Sequence, residues 1–324
     1  MFKQYKLSFF LSLILLVLIS FVFALLMGSS DLSLNDILSI FNGTASPLIH
    51  TLVFELRLPR ALAAFAAGAL LSLAGVLMQV LLRNPLADPY VLGVSGGSAL
   101  AALLAMLFGL NSLLMTGSAF IGALVSIMLV FIFSHQSGSW TVSRLLLTGI
   151  ILASGWGALI SFILVIAPAE QIHGMLFWLM GDLSYDRPLL PAYIILCIGL
   201  FFSLLISRQL NIMLWGDLHA GSLGIDIKKL RLQIFFLSSL MTAGAITLAG
   251  SIGFVGLVIP HLVRLVLGTD HRFLLPASAL TGGALLVIAD TLARTILAPQ
   301  QLPVGILTAL IGVPLFLYLL RKSQ

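Results

Sequence analysis

The chain has 324 residues, is 60% hydrophobic and only 8% charged, and its mean hydropathy is +1.18. A water-exposed fold of this size needs far more polar surface, so a soluble domain is excluded and a membrane-embedded one is indicated. The net charge of +5 fits basic loops that orient a membrane protein rather than nucleic-acid binding, and the lone Cys197 excludes an intrachain disulfide.

Apolar runs recur near 7–27, 58–82, 93–110, 113–134, 145–167, 190–207, 233–250, 254–268, 274–296 and 303–320. Each is read as a helix, because backbone polar groups in lipid must be satisfied within the segment. The expected fold class is therefore all-α: a polytopic membrane protein of about ten transmembrane helices, with 1–324 as a single domain. The first run resembles a signal peptide but is too long for one, and is read as a retained span. The eighth run is short. It is kept because basic residues flank both chain ends, at Lys3 and Lys6 and at Arg321 and Lys322, so an even number of crossings is required.

With both termini on the cytoplasmic side, twelve of the 16 Lys and Arg residues fall inside, and Arg57, Arg60, Arg187 and Arg294 fall outside. The opposite orientation would invert this bias.

Taken in order, "FELRLPR" (54–60) places Arg57 and Arg60 three apart on one helix face at the outer mouth of the second span, and Pro59 suits a first turn. The bland reading is snorkelling; the functional one is an outer guanidinium cluster, with Arg294, that binds carboxylates. Arg187 lacks a distinctive setting. Ala64, Gly68 and Ser72 repeat every four residues, as do Ala153, Gly157 and Ser161, and close helix packing is favoured over a pathway lining. "LLRNPLADPYVLGVSGGSA" (81–99) breaks the apolar pattern with Pro85 and Pro89, as an ordinary turn or as a broken helix at a permeation route. "AGALLSLAG" (67–75) faintly echoes "AGAITLAG" (243–250). Glu170 and His173 fall in an expected outer loop.

Six of the chain's 27 charged residues (16 Lys and Arg, 11 Asp and Glu) gather in the loop 207–233. "RQLNIMLW" and "DLHAGSL" read as two short helices, broken at Gly216 and ended at Gly224. They either lie flat at the membrane surface or fit a groove on a cytoplasmic partner. In "IGFVGLVIPHLVRLVLGTDHR" (252–272), His261 and Arg264 read as polar anchors, and the spacing of its histidines does not suit zinc. No nucleophile setting and no G-x-x-x-x-G-K-[ST] motif occurs, so the chain is not read as an enzyme. ATP-driven transport would need a motor on another polypeptide. The competing class is a secondary transporter driven by an ion gradient, for which Asp290 is the one buried acidic candidate.

"RLPR", "RNPLADPYVLGVSGG", "SRLLLTGI", "FWLMGDLS", "GSLGI", "GFVGLVIPHLVR", "GTDHRFLLP", "ADTLAR" and "LPVGILTALIGVPLFLYLL" occur in this order. The set resembles the FecCD-type permeases, membrane subunits of bacterial ABC importers for iron-siderophores, haem and cobalamin. The resemblance implies a multi-pass, ten-helix permease in the bacterial cytoplasmic (inner) membrane, paired with a second permease subunit, usually an identical copy. It implies two ATP-binding cassette subunits inside and a substrate-binding protein outside. It implies no cofactor in this chain, ATP and Mg being used by the partner. A coupling loop near 208–232 would carry Asp217, His219, Ala220, Ser222 and Gly224. Arg57, Arg60 and Arg294 would dock the binding protein, and Asn84, Leu86, Val142 and Ser143 would form an inner gate. Gln301 stands where the family often has Glu, which removes an ion pair there.

Overall fold

The computed structural model describes residues 2–28, 32–134, 141–183 and 187–322; the side chains of Lys3 and Lys322 lie outside what it describes. The chain runs through α1 (Phe2–Leu26), α2 (Leu34–Phe41) and α3 (Pro47–His50). A π-helical stretch (Thr51–Arg57) then leads into α4 (Leu58–Leu81). After a 3₁₀ turn (Pro89–Leu92) come α5 (Val94–Leu107), α6 (Ser112–Ser134), α7 (Val142–Ile166), α8 (Ala169–Met180) and α9 (Leu189–Leu205). The order closes with α10 (Ser207–Met213), α11 (Asp217–Ser222), α12 (Ile227–Ala249), α13 (Val255–Leu267), α14 (His271–Thr295) and α15 (Val304–Lys322). Among the described residues the regular structure is entirely helical.

Each of the ten apolar runs meets a helix, but not each helix is a full span. Six are long and apolar enough to cross a bilayer: α1, α4 with the turns before it, α6, α7, α12 and α14. α9 and α10 make a seventh only as a pair bent by 59°, and α5, α13 and the apolar part of α15 are shorter. α13, with 13 residues, rises about 20 Å against a hydrocarbon core of about 30 Å. The eighth run is thus a partial helix, and it is preceded by an irregular stretch, 250–254.

That stretch is buried or half-buried in the bundle, and its Gly250 and Ile252 N–H groups are satisfied by protein, as irregular chain at membrane depth requires. Ile252 N–H donates to the Tyr90 hydroxyl at 3.1 Å. Beside it, Val304 N–H donates to the Gly181 carbonyl at 3.1 Å, joining the end of α8 to the start of α15. α8 corrects the expected outer loop: its Met175 and Trp178 are buried, while Glu170 and His173 remain exposed.

α4 is the central post, packed by α14, α12, α13 and α9. The stripe Ala64, Gly68 and Ser72 is fully buried. A Cβ at Gly68 would collide with the Gly282 carbonyl of α14, so glycine here sets the helix spacing. The echoing stretches face one another antiparallel across the α4–α12 contact, with Leu70 near Gly244 and Met78 against Ser238. The second stripe does not pack within the chain: Ala153, Gly157 and Ser161 are exposed on α7, whose apolar window is only 11% buried within the chain.

Candidate functional site: an exposed arm and the charges that anchor it

The 207–233 segment folds as the glycine positions direct. α10 ends at Met213, Gly216 takes φ +106° and Gly224 φ +79°, and the short α11 lies between them. Both values lie in the left-handed region that side chains with a Cβ avoid. Asp226 then caps α12, its Oδ1 accepting from Lys229 N–H at 3.0 Å.

Two sets of polar contacts fix this arm to the bundle. Asn211 on α10 donates to Asp270 Oδ1 at 2.9 Å, and its own Oδ1 accepts from His271 N–H at 2.9 Å and from the His271 ring Nδ1 at 2.6 Å. Burial would raise the Asp270 carboxyl, but bonds from Asn211 and the Arg272 N–H, with the charges of Arg272 and Lys6, leave it below the ordinary carboxylate range. At α11, Asp217 is held between two arginines. Its Oδ2 accepts from Arg231 of α12 at 2.7 Å, and its Oδ1 pairs with Arg83 of the turn after α4. Arg83 itself has φ +49°, a conformation few non-glycine residues adopt.

The expected coupling residues divide by role. His219, Ser222 and Gly224 are exposed, Asp217 is an anchor, and Ala220 is fully buried. Sequence reading missed the apolar residues beside them: Trp215 is 80% exposed, Leu218 93% and Leu223 57%. Exposed large apolar side chains on a charged arm mark a contact surface.

Of the expected gate residues, Asn84 closes a tight turn, its Oδ1 accepting from Leu86 N–H at 2.9 Å, one residue beyond Arg83. Val142 and Ser143 open α7, capped by Thr141. The 3₁₀ turn that follows Asp88 packs on α7 at Gly149, so the segments expected to form the gate are linked through that turn. Asp88 caps it through Tyr90 N–H at 2.8 Å. Burial pushes the Asp88 carboxyl up to about 6, against the pull of that N–H.

The expected docking arginines are placed differently from the expectation. Arg57, Arg60 and Arg294 are 4%, 6% and 9% exposed. Arg57 Nη1 donates to the Leu25 and Leu26 carbonyls at 2.6 and 2.9 Å, at the end of α1. Arg60 holds Asp290 from Nε at 3.1 and 3.0 Å and from Nη2 at 3.0 Å, and its Nη1 donates to Gln301 Oε1 at 3.1 Å. Arg294 Nε lies 3.2 Å from Asp290 Oδ2. These guanidiniums lock α1, α4, α14 and the 301 turn together at the end of the bundle away from the arm, so the arrangement offers their charge inward. Gln301, neutral as it is, keeps a place in the cluster.

Among the described residues no group of three or more His, Cys, Asp or Glu is arranged to hold a metal. A bundle of apolar helices with an externally presented, internally braced arm has the form of a membrane transport subunit. The chain belongs to the FecCD transport family, whose model matches residues 15–322. It is 39% identical over 306 residues to the hemin transport system permease protein HmuU of Yersinia pestis, covering 92% of this chain and 90% of that one. It is 36% identical over 322 residues to the molybdate import system permease protein MolB of Haemophilus influenzae, covering 96% and 95%. A solved structure described as "an inward-facing conformation of a putative metal-chelate type ABC transporter" superposes with a TM-score of 0.86 at 35% identity, covering 96% of this chain and 98% of that one.

Proposed function

We propose that this chain is the permease subunit of a bacterial ABC importer that moves a metal chelate into the cytoplasm, driven by separate ATPase subunits docked on the α10–α11 arm. The observation that carries the reading is the tip of that arm. Leu218 is 93% exposed and Trp215 80%, while the base of the same arm is tied down through Asn211 and Asp217. Burying one such leucine against a partner contributes roughly 1.5–3 kcal/mol, so a groove that takes the tip gains affinity from residues the chain alone leaves uncovered.

The bracing supplies a mechanism. A push on α11 reaches Asp217, and through it both Arg83 at the head of the Asn84–Leu86 turn and Arg231 at the start of α12. That turn and the start of α7 form the inner gate in this reading. ATP drives the cycle by binding one arrangement of the arms more tightly than the other. A second copy of the chain covers the exposed face of α7, where Gly155 and Gly157 leave open space for close approach. A binding protein docks at the opposite end, on a surface that the arginine cluster shapes from beneath. Both termini lie on the cytoplasmic side. The HmuU and MolB names set a macrocyclic and an oxyanion cargo on relatives of similar identity; the metal-chelate structure weights the choice toward a chelate.

A gradient-driven mechanism has less support. Asp290, its one acidic candidate, is already paired within the chain, to Arg60 and to Arg294, and among the described residues no second buried carboxylate is available beside it for an ion to be passed to. Reconstitution into proteoliposomes tests the proposal. Uptake of a ferric chelate, haem or cobalamin is expected only with ATPase subunits, their ATP and a binding protein present. Accumulation by the permease alone under an ion gradient would refute it.

A further inference from the structure

Arg187 is the arginine to which neither the sequence pattern nor the transport reading gives a task. It stands just ahead of α9, at the end of the bundle away from the arm, and is 4% exposed. It lines a cavity of about 250 Å³ between α6, α9 and α12, together with Leu113, Gly117, Phe120, Ile195 and Thr247 among others. The cavity wall is otherwise nearly all apolar. The guanidinium is poorly served there: Nη1 makes one long bond, 3.4 Å, to the Thr247 carbonyl, and the buried Nε–H has no acceptor among the described residues. Burial weakens its hold on the proton while the nearby Asp182 charge strengthens it, and an arginine stays charged in either case. A buried cation with underused donors is costly until an anion completes it.

The rim shows where such an anion comes from. Leu113, which lines the cavity, is 67% exposed, and on the same two helices, next in sequence to lining residues, Leu114 is 52% exposed, Leu190 71% and Ile194 48%. A bare hydrated anion would have to leave water and cross this apolar rim. An amphiphile meets no such barrier, since its chains lie along the leucines while its head reaches the guanidinium. We propose that the α6–α9–α12 cavity binds the phosphodiester headgroup of an anionic membrane lipid, with Arg187 as its counter-ion. The planar fork of the guanidinium suits two oxygens of one phosphate.

The test uses the full-length permease purified into nanodiscs of phosphatidylcholine, with or without phosphatidylglycerol, and counts retained lipid by native mass spectrometry. Wild type is expected to retain phosphatidylglycerol in preference to phosphatidylcholine. Arg187→Gln should lower that retention at least about tenfold, the scale of one charge-assisted bond. Gly117→Phe should do the same by filling the cavity from α6; a Cβ at this position meets no atom within 4 Å, so the backbone admits a side chain here, and an unchanged melting temperature of the variant checks that the fold is kept. Equal retention of the two lipids would overturn the proposal, as would unchanged phosphatidylglycerol retention in Gly117→Phe. Loss of the retained phosphatidylglycerol to added inorganic phosphate would overturn the lipid assignment.

Discussion

Asp290 is 1% exposed and lies between two guanidiniums contributed by α4 and α14. Removing one member of a buried ion cluster leaves the others without compensation, at a cost of about 3–5 kcal/mol, whereas replacing the members together by apolar groups is often nearly neutral. Asp290→Asn is therefore expected to lower the melting temperature of the purified permease sharply, and Arg60→Met with Asp290→Leu and Arg294→Met to recover most of the loss. Thermal unfolding in detergent reads both. If the triple variant melts as low as Asp290→Asn, the cluster does more than hold helices together. The spacing of Arg57 and Arg60 on one helix face was legible in the sequence. Their destination was not, because the Asp290 that receives Arg60 lies 230 residues away, and a one-dimensional pattern cannot distinguish an outward arginine from one turned into a distant helix.

In the proposed reading, docking and force transmission fall on different side chains of the arm. Its tip residues, Trp215 and Leu218, are exposed, while Asp217 at its base is engaged with Arg83 and Arg231. Leu218→Glu puts a charge where the docking reading needs an apolar side chain, and is expected to abolish co-purification of the ATPase. Asp217→Ala leaves the tip intact but cuts the tie to the Asn84 turn. ATPase attachment should survive while substrate moved per ATP hydrolysed falls several-fold. Equal loss of attachment in both variants would merge the two roles. At this scale the sequence was informative wherever glycine imposes geometry, as at Gly216 and Gly224, whose φ values of +106° and +79° bound α11. It was uninformative at α8. Twelve residues holding Glu170, Gln171 and His173 between Pro168 and Gly181 resemble a polar connection, and the structure shows instead a helix that buries Met175 and Trp178 against the rest of the bundle.

Across the whole molecule, helix direction and charge must agree. Alternation of the long helices puts Ser222, in the arm, and Ser46, the N-cap of α3 ahead of α4, at opposite ends of the bundle. In the orientation proposed above, the end with the excess of Lys and Arg, the arm side, faces the cytoplasm, because basic loops are retained there. The shortness of α13 does not weaken the assignment, since the irregular chain before it is buried or half-buried and the Ile252 N–H is satisfied inside the bundle. The orientation can be read by cysteine labelling in intact cells, after Cys197→Ala removes the native thiol. Ser46→Cys is expected to react with a membrane-impermeant maleimide, and Ser222→Cys only after the membrane is permeabilised. Both side chains are exposed or half-buried in the chain, but docked ATPases would also shield position 222, so the permease is expressed without them. Labelling of Ser222→Cys in unbroken cells would place the arm outside, and with it no cytoplasmic ATPase could reach Leu218.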